Sequence, residues 1–251
     1  METVNMPRPL NKVPHVAVGF WLLKLLTTGA GEASSDWIIK HFNQYTAVVV
    51  SVVVFAAIVF WQIRRDSFST ARYWLTVTMV AIFGTQVADV MHVGLGVPYA
   101  VSTAVCLTGV IGLFLLWRLV EGTVSMDHID STRRELFYWA TIIATFALGT
   151  ALGDYTAVTV KLGYGGSIFL FAAAFALPAL WWAITRRGEI ACFWLAYIVT
   201  RPLGASVADY LAMPHHRGGL NVGLGNVSAV WLVLIALGVG VMAQRTRSVT
   251  A

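Results

Sequence analysis

Charge is what this sequence has least of. Asp, Glu, Lys and Arg make up 12% of its 251 residues, against about a quarter in a soluble domain. With a mean hydropathy of +0.73 and 58% hydrophobic residues, that shortfall excludes a water-soluble domain. Cysteine is nearly absent. Cys106 and Cys192, each in or at the edge of an apolar run, make neither a disulfide framework nor a metal-ligand spacing and read as small buried hydrophobes.

Catalytic motifs are missing too. There is no G-x-S-x-G, no H-E-x-x-H and no phosphate-binding glycine loop opening a helix, so the chain is not expected to be an enzyme. No histidine lies at mid-span: His15 and His128 fall near one membrane face, and His41, His92, His215 and His216 near the other. No pair is placed to ligate a haem. The net charge of +5 does not point to nucleic acid, because the basic residues cluster at the ends of apolar runs, where topology accounts for them.

What is present is a series of apolar runs, each close to the ~20 residues a helix needs to cross a bilayer. Eight spans can be drawn, at 16–37, 46–63, 73–91, 97–117, 136–159, 167–184, 190–211 and 227–243. The first contains Lys24 and Glu32 and no small-residue cleavage site, so it reads as a retained span and not a signal peptide. Twelve basic residues (Arg8, Lys12, Arg64, Arg65, Arg72, Arg118, Arg133, Arg134, Arg186, Arg187, Arg245 and Arg247) fall on the side of both termini; Lys40, Lys161 and Arg217 fall on the other. The bias predicts cytoplasmic termini. The expected fold is all-α, polytopic and a single transmembrane domain over 1–251.

The spans are not independent. WLLKLLTTGAGEASSD (21–36) recurs as WLTVTMVAIFGTQVAD (74–89), WATIIATFALGTALGD (139–154) and WLAYIVTRPLGASVAD (194–209). In each copy Trp opens the window, Gly follows ten residues later and Asp fifteen later. Each odd span carries the window and each even span is its uncharged partner. Four two-helix repeats, roughly 12–65, 66–118, 130–187 and 188–247, thus enter the membrane in one direction, which predicts pseudosymmetry about the membrane normal. The Trp residues read as an interfacial belt. The Gly pairs with a small residue four later (Gly31/Ser35, Gly84/Ala88, Gly149/Gly153, Gly204/Ala208), a spacing that lets membrane helices approach closely.

Beside the glycines, positions three, seven, eleven and fifteen after Trp share one helical face. That stripe carries every ionisable group of the windows: Lys24, Glu32 and Asp36, then Asp89, Asp154, and Arg201 with Asp209. Each carboxylate would cost roughly 2.5–3.5 kcal/mol facing lipid, so they are expected to face one another, a cation or water. Either the four Asp cap neighbouring loops, or they form a site. With Thr28, Thr85 and Thr150 they offer hard oxygen ligands, suited to protons or to a divalent ion such as Mn²⁺ and unsuited to copper. Glu32, Asp36, Asp89, Asp154 and Asp209 are the candidate metal ligands, and Lys24 and Arg201 their counter-charges. The formal sum of these seven groups is −3.

The text K-V-P-x-V (12–16), F-W-L-L-K-L-L-T-T-x-x-G-E (20–32), Y-W-A-T-I-I-A-T-x-x-L-G-T-A-L-G-D (138–154), L-G-Y-G-G-S (162–167) and T-R-P-L-G-A (200–205) resembles a bacterial family of membrane proteins built from four tandem two-helix repeats of unknown function. The second copy, A-I-F-G-T-Q-V-A-D, departs most from its pattern. The resemblance implies eight helices in the inner membrane and names no activity. The residues themselves favour transport of a small cation, a hard divalent metal such as Mn²⁺ by export. The alternatives are proton-coupled transport of a small organic solute, or a membrane scaffold or sensor. The expected partners are the lipid bilayer and a small cation or protons, with no resident cofactor; a homo-oligomer is not legible either way.

Overall fold

The computed structural model describes residues 11–65 and 67–250, with side chains for all but Val93 and residues 245–250. Arg8 and the side chains of Arg245 and Arg247, counted above among the basic groups, therefore lie outside the described residues. Every regular element among them is helical. α1 (Val18–His41), α2 (Gln44–Ile63), α3 (Thr70–Asp89), α4 (Tyr99–Glu121), α5 (Thr132–Asp154), α6 (Gly163–Thr185), α7 (Glu189–Ala212) and α8 (Leu224–Thr250) follow the eight spans to within a turn or two. Seven are long and apolar enough to cross a membrane. The eighth, α1, carries Lys24, Glu32 and Asp36. This is a multi-pass membrane protein.

Local signals set the turns. Asn43 caps α2, its side chain accepting from the Tyr45 and Thr46 amides at 3.1 and 3.2 Å. Gly122, at φ +73, ends α4 in the left-handed conformation that glycine adopts most readily. Immediately after Asp89 and Asp154, α3 and α5 each continue as one turn of π-helix, Val90–Gly94 and Tyr155–Thr159.

The odd helices form the interior. In the most apolar window of each span, 56–67% of residues are buried in α3, α5 and α7, against 11–22% in α2, α4, α6 and α8. The even helices turn residues such as Val53, Leu115, Phe169 and Val233 outward to lipid. α1 packs on α3, α3 on α5, α5 on α7 and α7 on α1, closing a ring of four parallel helices. The repeated glycines are its joints. A Cβ on Gly31 would overlap Ala81, one on Gly84 would overlap Phe146, one on Gly149 would overlap Arg201, and one on Gly204 would overlap Thr28. Each glycine thus faces the next helix around the ring, and the last returns to the first.

Two expectations change. First, the sequence repeat pairs an odd helix with the even helix after it, but packing is offset by one. α2 lies against α3, α4 against α5 and α6 against α7, and α8 returns to α1, where Gly29 admits the Trp231 ring. Second, most of the repeated Trp residues are not a belt in the lipid interface. Trp74, Trp139 and Trp194 are buried, as is Trp117, in an aromatic cluster with Phe20, Tyr73, Tyr138 and Tyr197. The residues that precede the four repeated Trp, Phe20, Tyr73, Tyr138 and Phe193, belong to this cluster, and the rings fill the end of the bundle. Trp61, Trp181 and Trp182, on even helices, remain exposed as an interfacial role requires. Cys106 and Cys192 are free and only partly buried.

Gly204→Val places a branched side chain against Thr28 and the Gly29 backbone. We expect it to destabilise the protein by at least the ~1–3 kcal/mol typical of overpacking, read as a lowered midpoint of thermal unfolding in detergent. Gly109→Val, where nothing lies within 4 Å, is the control and should leave the midpoint nearly unchanged. Equal midpoints for the two would contradict the ring.

Candidate functional site

Four parallel helices that turn the same face inward stack equivalent positions into layers across the axis. From the Trp end, the third position after Trp supplies Lys24, Val77, Ile142 and Tyr197. The seventh supplies Thr28, Ala81, Phe146 and Arg201, and the eleventh Glu32, Thr85, Thr150 and Ala205. All twelve are buried. The fifteenth supplies the four Asp, of which Asp209 is buried and Asp36, Asp89 and Asp154 are partly exposed.

Arg201 ties the layers together. Its Nη2 donates to Glu32 Oε2 at 2.6 Å, to Thr150 Oγ1 at 2.8 Å and to Thr85 Oγ1, while Nη1 donates to the Thr28 carbonyl at 3.0 Å. One guanidinium on α7 therefore reaches α1, α3 and α5. The threonines suit this because each spends its own proton within its helix, Thr85 on the Ala81 carbonyl and Thr150 on the Phe146 carbonyl. Their lone pairs are left for Arg201. Thr28 contributes its carbonyl alone, since its hydroxyl is bound to the Leu25 carbonyl. Gly149 leaves room for the stem of Arg201.

Lys24 departs from its expected role. It does not pair with a carboxylate. Its ammonium lies 3.9 Å from the centroid of the Phe146 ring and 4.0 Å from that of Tyr197, with no hydrogen-bond partner. The cause is its level: two turns below Glu32, the neighbouring helices offer rings, whose faces attract a cation.

Above Arg201 lies the acidic layer. Glu32, Asp36 and Asp209 bring carboxylate oxygens within 4.8 Å of one another. Asp89 accepts from Ser35 Oγ at 3.5 Å, and one oxygen of Asp209 is buried without a partner. Glu32 and Arg201 both act electrostatically on each of the four Asp. Among the described residues none of the four accepts a bond from a backbone amide, so they do not form separate caps. They lie at the same end of the ring, and of these five carboxylates only Glu32 has a salt-bridge partner among the described residues. Oxygens on opposite sides of a Ca²⁺-sized ion are at most ~5 Å apart, so Glu32, Asp36 and Asp209 fit one hard divalent ion. Asp89 and Asp154 stand outside that threesome.

A second buried network, which the sequence did not single out, closes the Trp end. Lys12 Nζ meets Glu135 Oε2 at 2.8 Å. Glu135 Oε1 accepts from Gln62 at 3.1 Å and Trp139 at 3.4 Å, and Gln62 in turn accepts from Arg72 Nε at 2.9 Å. Lys12 and Arg72 are thus buried partners, not solvated loop charges. Tyr73 and Tyr138, on the neighbouring α3 and α5, join their hydroxyls at 2.5 Å. The one available signal was Glu135, the only acidic residue in the first turn of an odd helix to precede Trp by four residues.

Fold and site together define a multi-pass membrane protein whose interior is a four-helix ring enclosing a line of cations and carboxylates. Stretches 72–123, 137–188 and 192–248 match the family described as Repeat of Unknown Function (DUF347), and the chain belongs to it. Each matched stretch covers an odd helix and the even helix that follows. The first copy, with Lys24 and Glu32, is not among them. No curated protein and no solved structure matches the chain.

Removing one partner of a buried ion pair typically costs about 3–5 kcal/mol. Lys12→Met should therefore lower the unfolding midpoint strongly, and adding Glu135→Gln should recover part of the loss. A double variant less stable than Lys12→Met alone would contradict the pairing.

Proposed function

We propose that the protein transports a small cation, a hard divalent metal such as Mn²⁺, across the bacterial inner membrane in the export direction. The observation that carries this reading is the convergence of one Asp from every repeat, with Glu32, at one end of the axis. Carboxylates within the membrane in excess over their counter-ions favour a positive partner. Glu32, Asp36 and Asp209 supply oxygens at a spacing a hard ion can bridge. The four Asp present the acidic mouth, and Arg201 is the counter-charge at its floor.

The orientation rests on the basic residues. Arg64, Arg65, Arg118, Arg133, Arg186 and Arg187 lie at the Trp end, which supports cytoplasmic termini and an acidic layer toward the outside. The aromatic cluster and the Lys12–Glu135 network obstruct the axis on the cytoplasmic side, as an outward-facing state of an alternating-access carrier requires. No enzyme activity is needed to account for these groups.

One observation favours a second reading. Lys24 holds a buried ammonium with no hydrogen-bond partner, and the anionic group of a small organic solute could take that place in a proton-coupled carrier. The Phe146 and Tyr197 rings on Lys24 already stabilise its charge, so the cation reading stands ahead.

In liposomes, Glu32→Gln and Asp154→Asn should each reduce Mn²⁺ flux at least tenfold. Wild-type rates in both would exclude the carboxylates from the pathway. Alkaline phosphatase fused within 213–223 should be active and within 122–131 inactive; the reverse pattern would overturn the orientation.

A further inference from the structure

We infer that the cage around the Arg201 guanidinium is itself a cation subsite, in series with the Asp layer, and that Arg201 is its resident cation, displaced when a metal ion enters the cage on its way to the acidic mouth. This rests on the cation-transport reading and says where the ion rests before it reaches the Asp layer.

The cage has the composition of a cation site and not of a packing contact. A carboxylate oxygen, two hydroxyl oxygens and one backbone carbonyl converge on a single guanidinium from three helices. These are the donors a hard ion takes from protein. The oxygens are held whether or not Arg201 is there: the Thr85 and Thr150 hydroxyls are anchored to their own helices, and the Thr28 carbonyl belongs to α1. Glu32 is common to both levels, bonded to Arg201 and grouped with Asp36 and Asp209. An ion on the Asp layer therefore already shares a ligand with the guanidinium and lies on the same side of it.

Arg201 is not locked in. Its Nε is buried without a partner, so the group gives up one hydrogen bond where it rests. The next residue, Pro202, lies inside α7; lacking an amide hydrogen, it frees a carbonyl one turn back and weakens the helix at that point. The like charges of Arg201 and a divalent ion exclude joint occupancy of the cage, so arrival of one entails departure of the other. The acidic layer, where only Glu32 has a salt-bridge partner among the described residues, is the place that would receive the displaced guanidinium. The exchange also accounts for the broken symmetry: one copy supplies the glutamate, one the arginine and two the threonines.

The test is Mn²⁺ binding to the full-length protein in nanodiscs, read from the electron paramagnetic resonance signal of free Mn²⁺. Arg201→Gln empties the cage of its charge and should bind Mn²⁺ at least tenfold more tightly than wild type. Adding Glu32→Gln should abolish the gain. Arg201→Lys keeps a buried charge, which protects folding if the glutamine form does not assemble. Its shorter ammonium does not span the three partners, and it too should bind more tightly than wild type. If wild type binds Mn²⁺ and both Arg201 variants bind no better, the exchange is wrong while the transport reading stands. If no form binds Mn²⁺, both fall.

Discussion

A guanidinium and a carboxylate that meet inside a membrane must be satisfied by the protein alone. Arg201 and Glu32 meet at 2.6 Å, both almost fully buried, and the surrounding fold can be read as the condition for that meeting. Partial neutralisation alone does not hold such a pair, because desolvation offsets much of the attraction. It needs its remaining hydrogen bonds. Thr85, Thr150 and the Thr28 carbonyl supply them, which obliges α1, α3, α5 and α7 to stand close around one axis.

Closeness in turn depends on the glycines. A ring of four helices with side chains at every contact would stand too far apart for one arginine to reach three neighbours. At each joint a glycine faces the next helix, and at Gly149 the space is taken by Arg201 itself. Packing and electrostatics are therefore one problem at this level: the residue that brings α5 and α7 together also admits the charge that bonds all four. The apolar even helices then wrap the ring, each against the odd helix that follows it, with α8 returning to α1. That offset links every repeat to its successor and joins the two ends of the chain.

Much of this was legible in the sequence. The repeat, the eight spans and the inward stripe are periodicities, and periodicity survives without coordinates. The five carboxylates were identifiable because a charge in an apolar run has few places to go. Partnership was not legible. A stripe places Lys24 and Arg201 on the same face but not at the same level as their partners. A rise of ~1.5 Å per residue separates an arginine that reaches Glu32 from a lysine that reaches only Phe146 and Tyr197. The fate of the Trp residues was hidden for a related reason. Tryptophan at a span end suits an interface and a core equally, and only the inward turn of α3, α5 and α7 decides it. The Lys12–Glu135 network joins groups 123 residues apart, a distance no local pattern spans.

The central claim is that a cation belongs on this axis among Glu32, Asp36 and Asp209. Crystals grown with Mn²⁺ and measured at the manganese absorption edge test it most directly. The account predicts an anomalous peak on the axis within bonding distance of those three carboxylates, absent from crystals of Glu32→Gln. Manganese found only at surface sites, with the axial carboxylates bonded to one another and to protein donors, would contradict it.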